Sequence, residues 1–256
     1  VTSRLFGRML KLRLIDDAVE VRTIAPAVER VSKPLLCLGD DADRIRGHHP
    51  DSSPDTNIAR LRGDPIRQRE SRAYLLQDVV IADGTLMTRR ACTAITDAPR
   101  RSILPRSPVR LREGAFCSTY VTERYFAHWL QDGLSHELWA LDRGVRPLVL
   151  PTPATRIHEQ GYRSIVRLEA THVVHARVDR LWYLEDHELS DDRIARMKRV
   201  RDRLRSAVPQ DGPSHVFLSR GSTGRGRVLA NEAEVHTALR KRGFALLTPE
   251  TSTPAE

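Results

Sequence analysis

A chain of 256 residues, 40% of them hydrophobic, can bury a sizeable core and form one or two domains. Its formal net charge of +9 is almost wholly arginine, since Lys11, Lys33, Lys198 and Lys241 are the only lysines, and those arginines are dispersed with aromatics at 5%. That pattern argues against the basic patch with stacking platforms of a nucleic-acid binder, and no apolar run is long enough for a transmembrane segment.

Dispersed arginine fits a general preference for anionic substrates, sugar nucleotides among them. Cys37, Cys92 and Cys117 have neither metal nor redox spacing, so they read as buried free thiols. The chain opens on Val1 without a signal-peptide pattern. The expectation is a cytoplasmic protein, with a peripheral position at the inner membrane face as a variant.

Leu5–Leu14 suggests a short basic helix. Residues 20 to 66 read as irregular, broken by Pro26, Pro34, Pro50, Pro54 and Pro65, with Gly47–Asn57 a loop. Within that stretch Asp41-Ala42-Asp43 follows the apolar run Leu35–Leu38 and is formally a metal-diphosphate clamp. Two-letter motifs arise easily in acidic loops, so no metal site is assigned. His48-His49 reads as solvated. Ala73–Arg89 is the best β-hairpin signal, two β-rich runs flanking Ala82-Asp83-Gly84-Thr85.

After a connection marked by Pro99, Pro105 and Pro108, the pattern predicts a helix capped by Thr122 and running to about Leu141. His128, Asp132 and His136 stand at i, i+4 and i+8 on one face of it. A carboxylate beside an imidazole holds its tautomer and raises its basicity, as a general base requires; a polar stripe on an amphipathic helix is the plain alternative. Arg146–Pro151 reads as a strand, Thr155–Tyr162 as helix and Thr171–Leu184 as one or two strands. Ser190 caps a helix to about Ser206, where Arg193, Arg196, Arg199 and Arg203 read as a solvated face opposite Ile194, Met197, Val200 and Leu204. Alternation from Gly144 onward predicts an α/β domain with a parallel sheet.

His215–Pro249 reads as strand, basic glycine-rich loop, helix and strand. Val216–Leu218 and Phe244–Leu247 are the strands, Asn231 caps the helix with Glu234 completing a capping box, and Gly243 ends it. The loop Ser219–Gly226 holds Gly221, Gly224 and Gly226, with Arg220, Arg225 and Arg227 interleaved. Glycines let a backbone approach an anion, arginines donate paired hydrogen bonds, and the helix N-terminus adds positive potential. A solvated turn is the competing reading. Capping alone accounts for Asn231, and a first-turn acid for Glu232.

The ordered pair YFAHWLQDGLSHELWAL and SR…GRVLANEAEV…LRKRGFALLTPE resembles glycosyltransferase family 61, over roughly Ser71–Pro249. That family includes O-linked N-acetylglucosaminyltransferases and xylosyltransferases. The resemblance implies an α/β fold: a Rossmann-like domain of a two-domain (GT-B-type) transferase, with a β-rich N-terminal section and an incomplete second Rossmann-like unit. The corresponding divisions are 1–70, 71–210 and 211–256.

By resemblance, His128 and Asp132 line the acceptor side. Arg220 and Arg227 hold the donor diphosphate, with Arg225 a rival for the second role, and Asn231 and Glu232 complete the motif. The nucleotide-sugar donor is a co-substrate, a glycan or other hydroxyl is the acceptor, and no metal or other cofactor is required. Ser135-His136 departs from the family's Pro-Arg-like continuation, and the family's later His-Gly-Ala loop is not found, so the expectation is either a truncated or split product or a final unit that packs onto the first domain. The leading function is sugar transfer in polysaccharide or capsule biosynthesis. The alternatives are a non-catalytic remnant that binds anionic glycan or a partner chain, and an arginine-mediated nucleic-acid binder.

Overall fold

The computed structural model describes residues 12–31, 33–36, 47, 53–96, 108–151, 158–209, 211–219, 229–249 and 252. They fall into two compact units, one drawn from Val1–Leu150 and Ala170–Met197, the other from Pro151–Glu169 and Lys198–Glu256.

The first unit is built on an eight-stranded mixed sheet. Its long central strands are β4 (Ser71–Ala82) and β10 (His175–Glu185), paired antiparallel from His175↔Ala82 to Glu185↔Arg72. On the far edge of β4 lie β1 (Glu20–Ala25) and β5 (Thr85–Met87), and β5 carries β6 (Cys92–Ala94). On the other side of β10 come β7 (Val109–Phe116), β8 (Pro147–Val149) and β9 (Thr171–His172), all parallel to their neighbours. The strands from Gly144 onward lie on the parallel side of the sheet, β10–β7–β8–β9, as expected, while β4 of the hairpin runs against β10 and makes the sheet mixed.

The hairpin between β4 and β5 forms as expected. Asp83 and Gly84 take φ of 45° and 71°, the paired left-handed conformations of a two-residue turn whose twist matches the strands. The stretch read as irregular contains more order than expected. It supplies β1 to the sheet, the pair β2 (Val28–Arg30) and β3 (Ile66–Gln68), and α1 (Pro54–Arg62). The Ser53 hydroxyl caps α1 from Thr56 N–H, Pro54 sits where a helix tolerates it, and Gly63 closes it at φ 77°.

Side chains alternate between the sheet's two faces. Leu76, Phe116, Leu148 and Leu181 belong to one buried cluster. Leu75, Ala115, Val149 and Trp182 belong to the other, where Trp139 and Ala140 cover them. Each fully buried aliphatic side chain contributes about 1.5–3 kcal/mol.

In the second unit α5 (Glu159–Val166) is described, and its Val166 carbonyl accepts from Arg203 Nη1 at 3.0 Å. The same unit contains β11 (Val216–Leu218), α7 (Glu232–Lys241) and β12 (Ala245–Leu247). The two strands are parallel, Val216↔Ala245 to Leu218↔Leu247, so strand, helix and strand form a β–α–β unit as expected. Gly243 follows α7 at φ 81°.

Candidate functional site

The helix expected from Thr122 to Leu141 is three helical pieces and a turn. Thr119, not Thr122, is the N-cap of α2 (Tyr120–Arg124): its hydroxyl accepts from Thr122 N–H, and the Thr122 hydroxyl accepts from Thr119 N–H at 2.7 Å. Tyr125 is extended, at φ −128° and ψ 122°, and breaks the run. Then come α3 (Phe126–His128), a π-helical turn (Trp129–Gly133) closed by Leu134 N–H donating to the Trp129 carbonyl, and α4 (Leu134–Leu141). Single π turns inside helices recur at functional sites.

His128 and Asp132 meet across that turn, with Nδ1 2.9 Å from Oδ2. The His128 side chain is 49% exposed and that of Asp132 is 13% exposed. A carboxylate neighbour makes Nδ1 the proton donor, which leaves the Nε2 lone pair free to accept a proton. The other Asp132 oxygen accepts from Arg193 Nη2, a buried charge-assisted bond.

Arg193 belongs to α6 (Asp191–Ala207). Its Nη1 also donates to the Asp186 carbonyl at 2.9 Å, and its backbone N–H donates to the Ser190 hydroxyl at 3.2 Å. Arg196, one turn on, donates through Nε to the Ser135 hydroxyl at 3.0 Å and pairs with Asp186 and Asp192. The expected solvated arginine face is thus corrected in part: Arg199 and Arg203 are exposed as expected. Arg193 and Arg196 are buried, whereas Ile194, read as apolar and inward, is 42% exposed. The guanidinium groups go inside because buried carboxylates already need them there.

His136, expected beside His128 and Asp132, is instead fully buried, with Nε2 3.9 Å from Asp186 Oδ2. Burial pushes its imidazole down to about 4, against the pull of Asp186. Two further guanidinium groups, Arg193 and Arg196, push the same way as burial, and Asp132 opposes them. His136 is therefore neutral at physiological pH and faces the interior, not a substrate.

Arg193, Arg196, Asp186 and Ser135 were missed as parts of this site. The available signal was the i, i+3 spacing of the two arginines with Val200 at i+7 completing the same stripe, all three buried.

In the other unit, Glu232 opens α7 and accepts from the Ser219 hydroxyl at 3.3 Å, joining the end of β11 to the helix start. Asn231 is the N-cap residue, but its side chain makes no capping bond, so the expected capping box does not form; its carbonyl accepts from Glu234 and Val235 N–H at 3.1 Å. Arg220, Arg225 and Arg227 lie outside the described residues, as do Asp41, Asp43, His48 and His49. Among the described residues no three His, Cys, Asp or Glu side chains come together to hold a metal ion. Nor is any helix among them long and apolar enough to cross a membrane.

These features define a mixed α/β protein with a half-exposed histidine oriented by a buried carboxylate, and with a β–α–β unit whose first strand and helix are joined by an arginine- and glycine-rich sequence. The model of the family described as glycosyltransferase 61 matches residues 126–256, just over half of the chain and inclusive of both motifs but for Tyr125. The chain belongs to the glycosyltransferase 61 family, and its general class is that of a glycosyltransferase. Neither the curated proteins nor the solved structures contain a match to it.

Proposed function

We propose that this chain transfers a sugar from a nucleotide-sugar donor to a hydroxyl of a glycan acceptor, with inversion, in the building of a polysaccharide. The observation that carries the reading is the His128–Asp132–Arg193 chain of contacts. It orients an imidazole whose free nitrogen can take the acceptor proton as the hydroxyl oxygen attacks the anomeric carbon. The bond from that carbon to the donor phosphate breaks, and the nucleoside diphosphate leaves with the electron pair.

Arg220 and Arg227, with Arg225, meet the charge that grows on the diphosphate, which arginine forks suit without a metal. Asn231 and Glu232 fix the start of α7. The fold that suits this chemistry is the two-domain GT-B type, with β11–α7–β12 in the donor-binding domain. Beside His128 the Tyr125 ring lies 5.8 Å away and is half exposed, and Phe126 is also exposed. Such rings offer an apolar face to the C–H side of an acceptor pyranose.

The test is nucleotide release from a panel of sugar nucleotides, with donor binding followed separately by ligand-observed NMR. His128→Ala is expected to lower kcat by about 10²-fold or more with donor binding retained. Arg220→Ala is expected to lose donor affinity, and Tyr125→Ala to raise the acceptor KM. A His128→Ala variant with unchanged kcat, or an Arg220→Ala variant with unchanged donor affinity, sinks the corresponding role.

A further inference from the structure

Strand β7 pairs with β8 only at Ala115 and Phe116. Over its first part, from Val109 to Gly114, it has β10 on one side and no described strand on the other. Ala115 N–H donates toward β8, to the Arg146 carbonyl at 2.9 Å. Strand N–H groups alternate in direction, so that of Glu113, two residues before Ala115, points the same way. It faces a recess of about 390 Å³ between Arg110–Glu113 and Gly144–Arg146. Its wall is open at Gly144, where nothing lies within 4 Å of the place a Cβ would take.

The charge in this recess is unbalanced. Several arginines of the sheet unit meet acids: Arg13 meets Glu185, Arg72 meets Glu70, Arg90 meets Asp17 and Arg177 meets Asp78. Arg110, Arg112 and Arg146 have no carboxylate partner among the described residues. The acid that lines the recess, Glu113, is engaged by Trp182 Nε1 at 3.3 Å and by Arg180 Nε at 3.7 Å. Three arginines with no carboxylate partner among the described residues, and the Glu113 N–H, border this hollow, which is the donor chemistry of an oxyanion site.

We propose that this recess binds an oxyanion carried on a sugar, the carboxylate of a uronic acid or the phosphate of a sugar phosphate. The glycan acted on is then acidic. Its role as acceptor rests on the transferase reading above; the binding itself does not.

The experiment is calorimetric titration of the whole chain at about 20 mM salt, where screening is weak. The probes are a uronic-acid oligosaccharide, glucose 1-phosphate, a neutral oligosaccharide of equal length, inorganic phosphate and an acidic peptide. At least one of the two sugar anions is expected to bind, which names the source, while the neutral oligosaccharide does not. Arg110→Gln/Arg146→Gln is expected to weaken that binding about tenfold or more, an effect near 1.4 kcal/mol. Both side chains are exposed, so its circular-dichroism melt should match that of the parent; Arg112→Gln serves as the second variant.

Unchanged affinity in both variants overturns the site. Inorganic phosphate or the acidic peptide binding as tightly as the sugar anions overturns the sugar assignment. A sugar nucleotide titrated in parallel separates the two readings. Donor binding without acidic-sugar binding sinks this site alone, and the reverse sinks the donor site alone.

Discussion

At the scale of single residues, Asp132 is the pivot of the site. One carboxylate oxygen holds His128 and the other holds Arg193. Because Arg193 is buried, its charge depends on that carboxylate, and removing one member of a buried pair costs about 3–5 kcal/mol. Asp132→Asn keeps the shape and removes the charge. It is expected to lower the urea midpoint of unfolding while also lowering kcat about 10²-fold, since His128 loses the acceptor that fixes its tautomer. A purely structural role for Asp132 would move the midpoint and leave kcat of the folded fraction intact. Nearby, Ser135 accepts from Arg196 Nε at 3.0 Å, so the serine that departs from the family pattern completes the buried ion-pair network.

At the scale of elements, the fit between β7 and β8 depends on one missing side chain. A Cβ on Gly114 would come within 2.5 Å of Leu148 Cδ1, and Leu148 is fully buried between strands. Gly114→Ala is expected to destabilise the sheet unit by about 1–3 kcal/mol through overpacking, read as a lowered denaturant midpoint with an unchanged slope. A midpoint equal to that of the parent would show that Leu148 has room to yield. The elements that sequence reasoning found are those with local causes. The β4–β5 hairpin follows from Asp83-Gly84, and α6 starts at Ser190 because that hydroxyl accepts from Arg193 N–H. What it missed has distant causes. Arg193 and Arg196 turn inward to meet Asp132 and Asp186, which stand 61 and 10 residues away along the chain. The π turn at Trp129–Gly133 likewise has no signature in residue spacing, yet it separates exposed His128 from buried His136.

At the scale of the whole molecule, the family was legible in two ordered motifs, whereas the sheet was legible only in part. Alternating strands and helices signalled parallel pairing, but the antiparallel β4–β10 pair joins residues about a hundred positions apart, and no local pattern encodes that partner. The same long-range packing gives the fold its response to acid. His136 is enclosed by Asp186, which follows β10, by Arg193 and Arg196 of α6, and by Asp132 of the π turn. Burial outweighs the two carboxylates and brings the imidazole from 6.5 down to about 4. Above about pH 6.5 neither the folded nor the unfolded chain holds a proton there, and this residue adds no pH dependence. As pH falls, the unfolded chain takes up the proton first and the folded chain resists until about pH 4. Stability therefore drops across that window, by at most roughly 3 kcal/mol, and this contribution is flat below it. His136→Gln keeps a polar side chain and removes the titration. Urea midpoints taken between about pH 7 and pH 4.5 should fall more steeply for the parent than for this variant. Parallel slopes for the two, or an imidazole seen by NMR to be protonated near pH 6 in the folded state, would mean that the pocket around His136 is open to solvent.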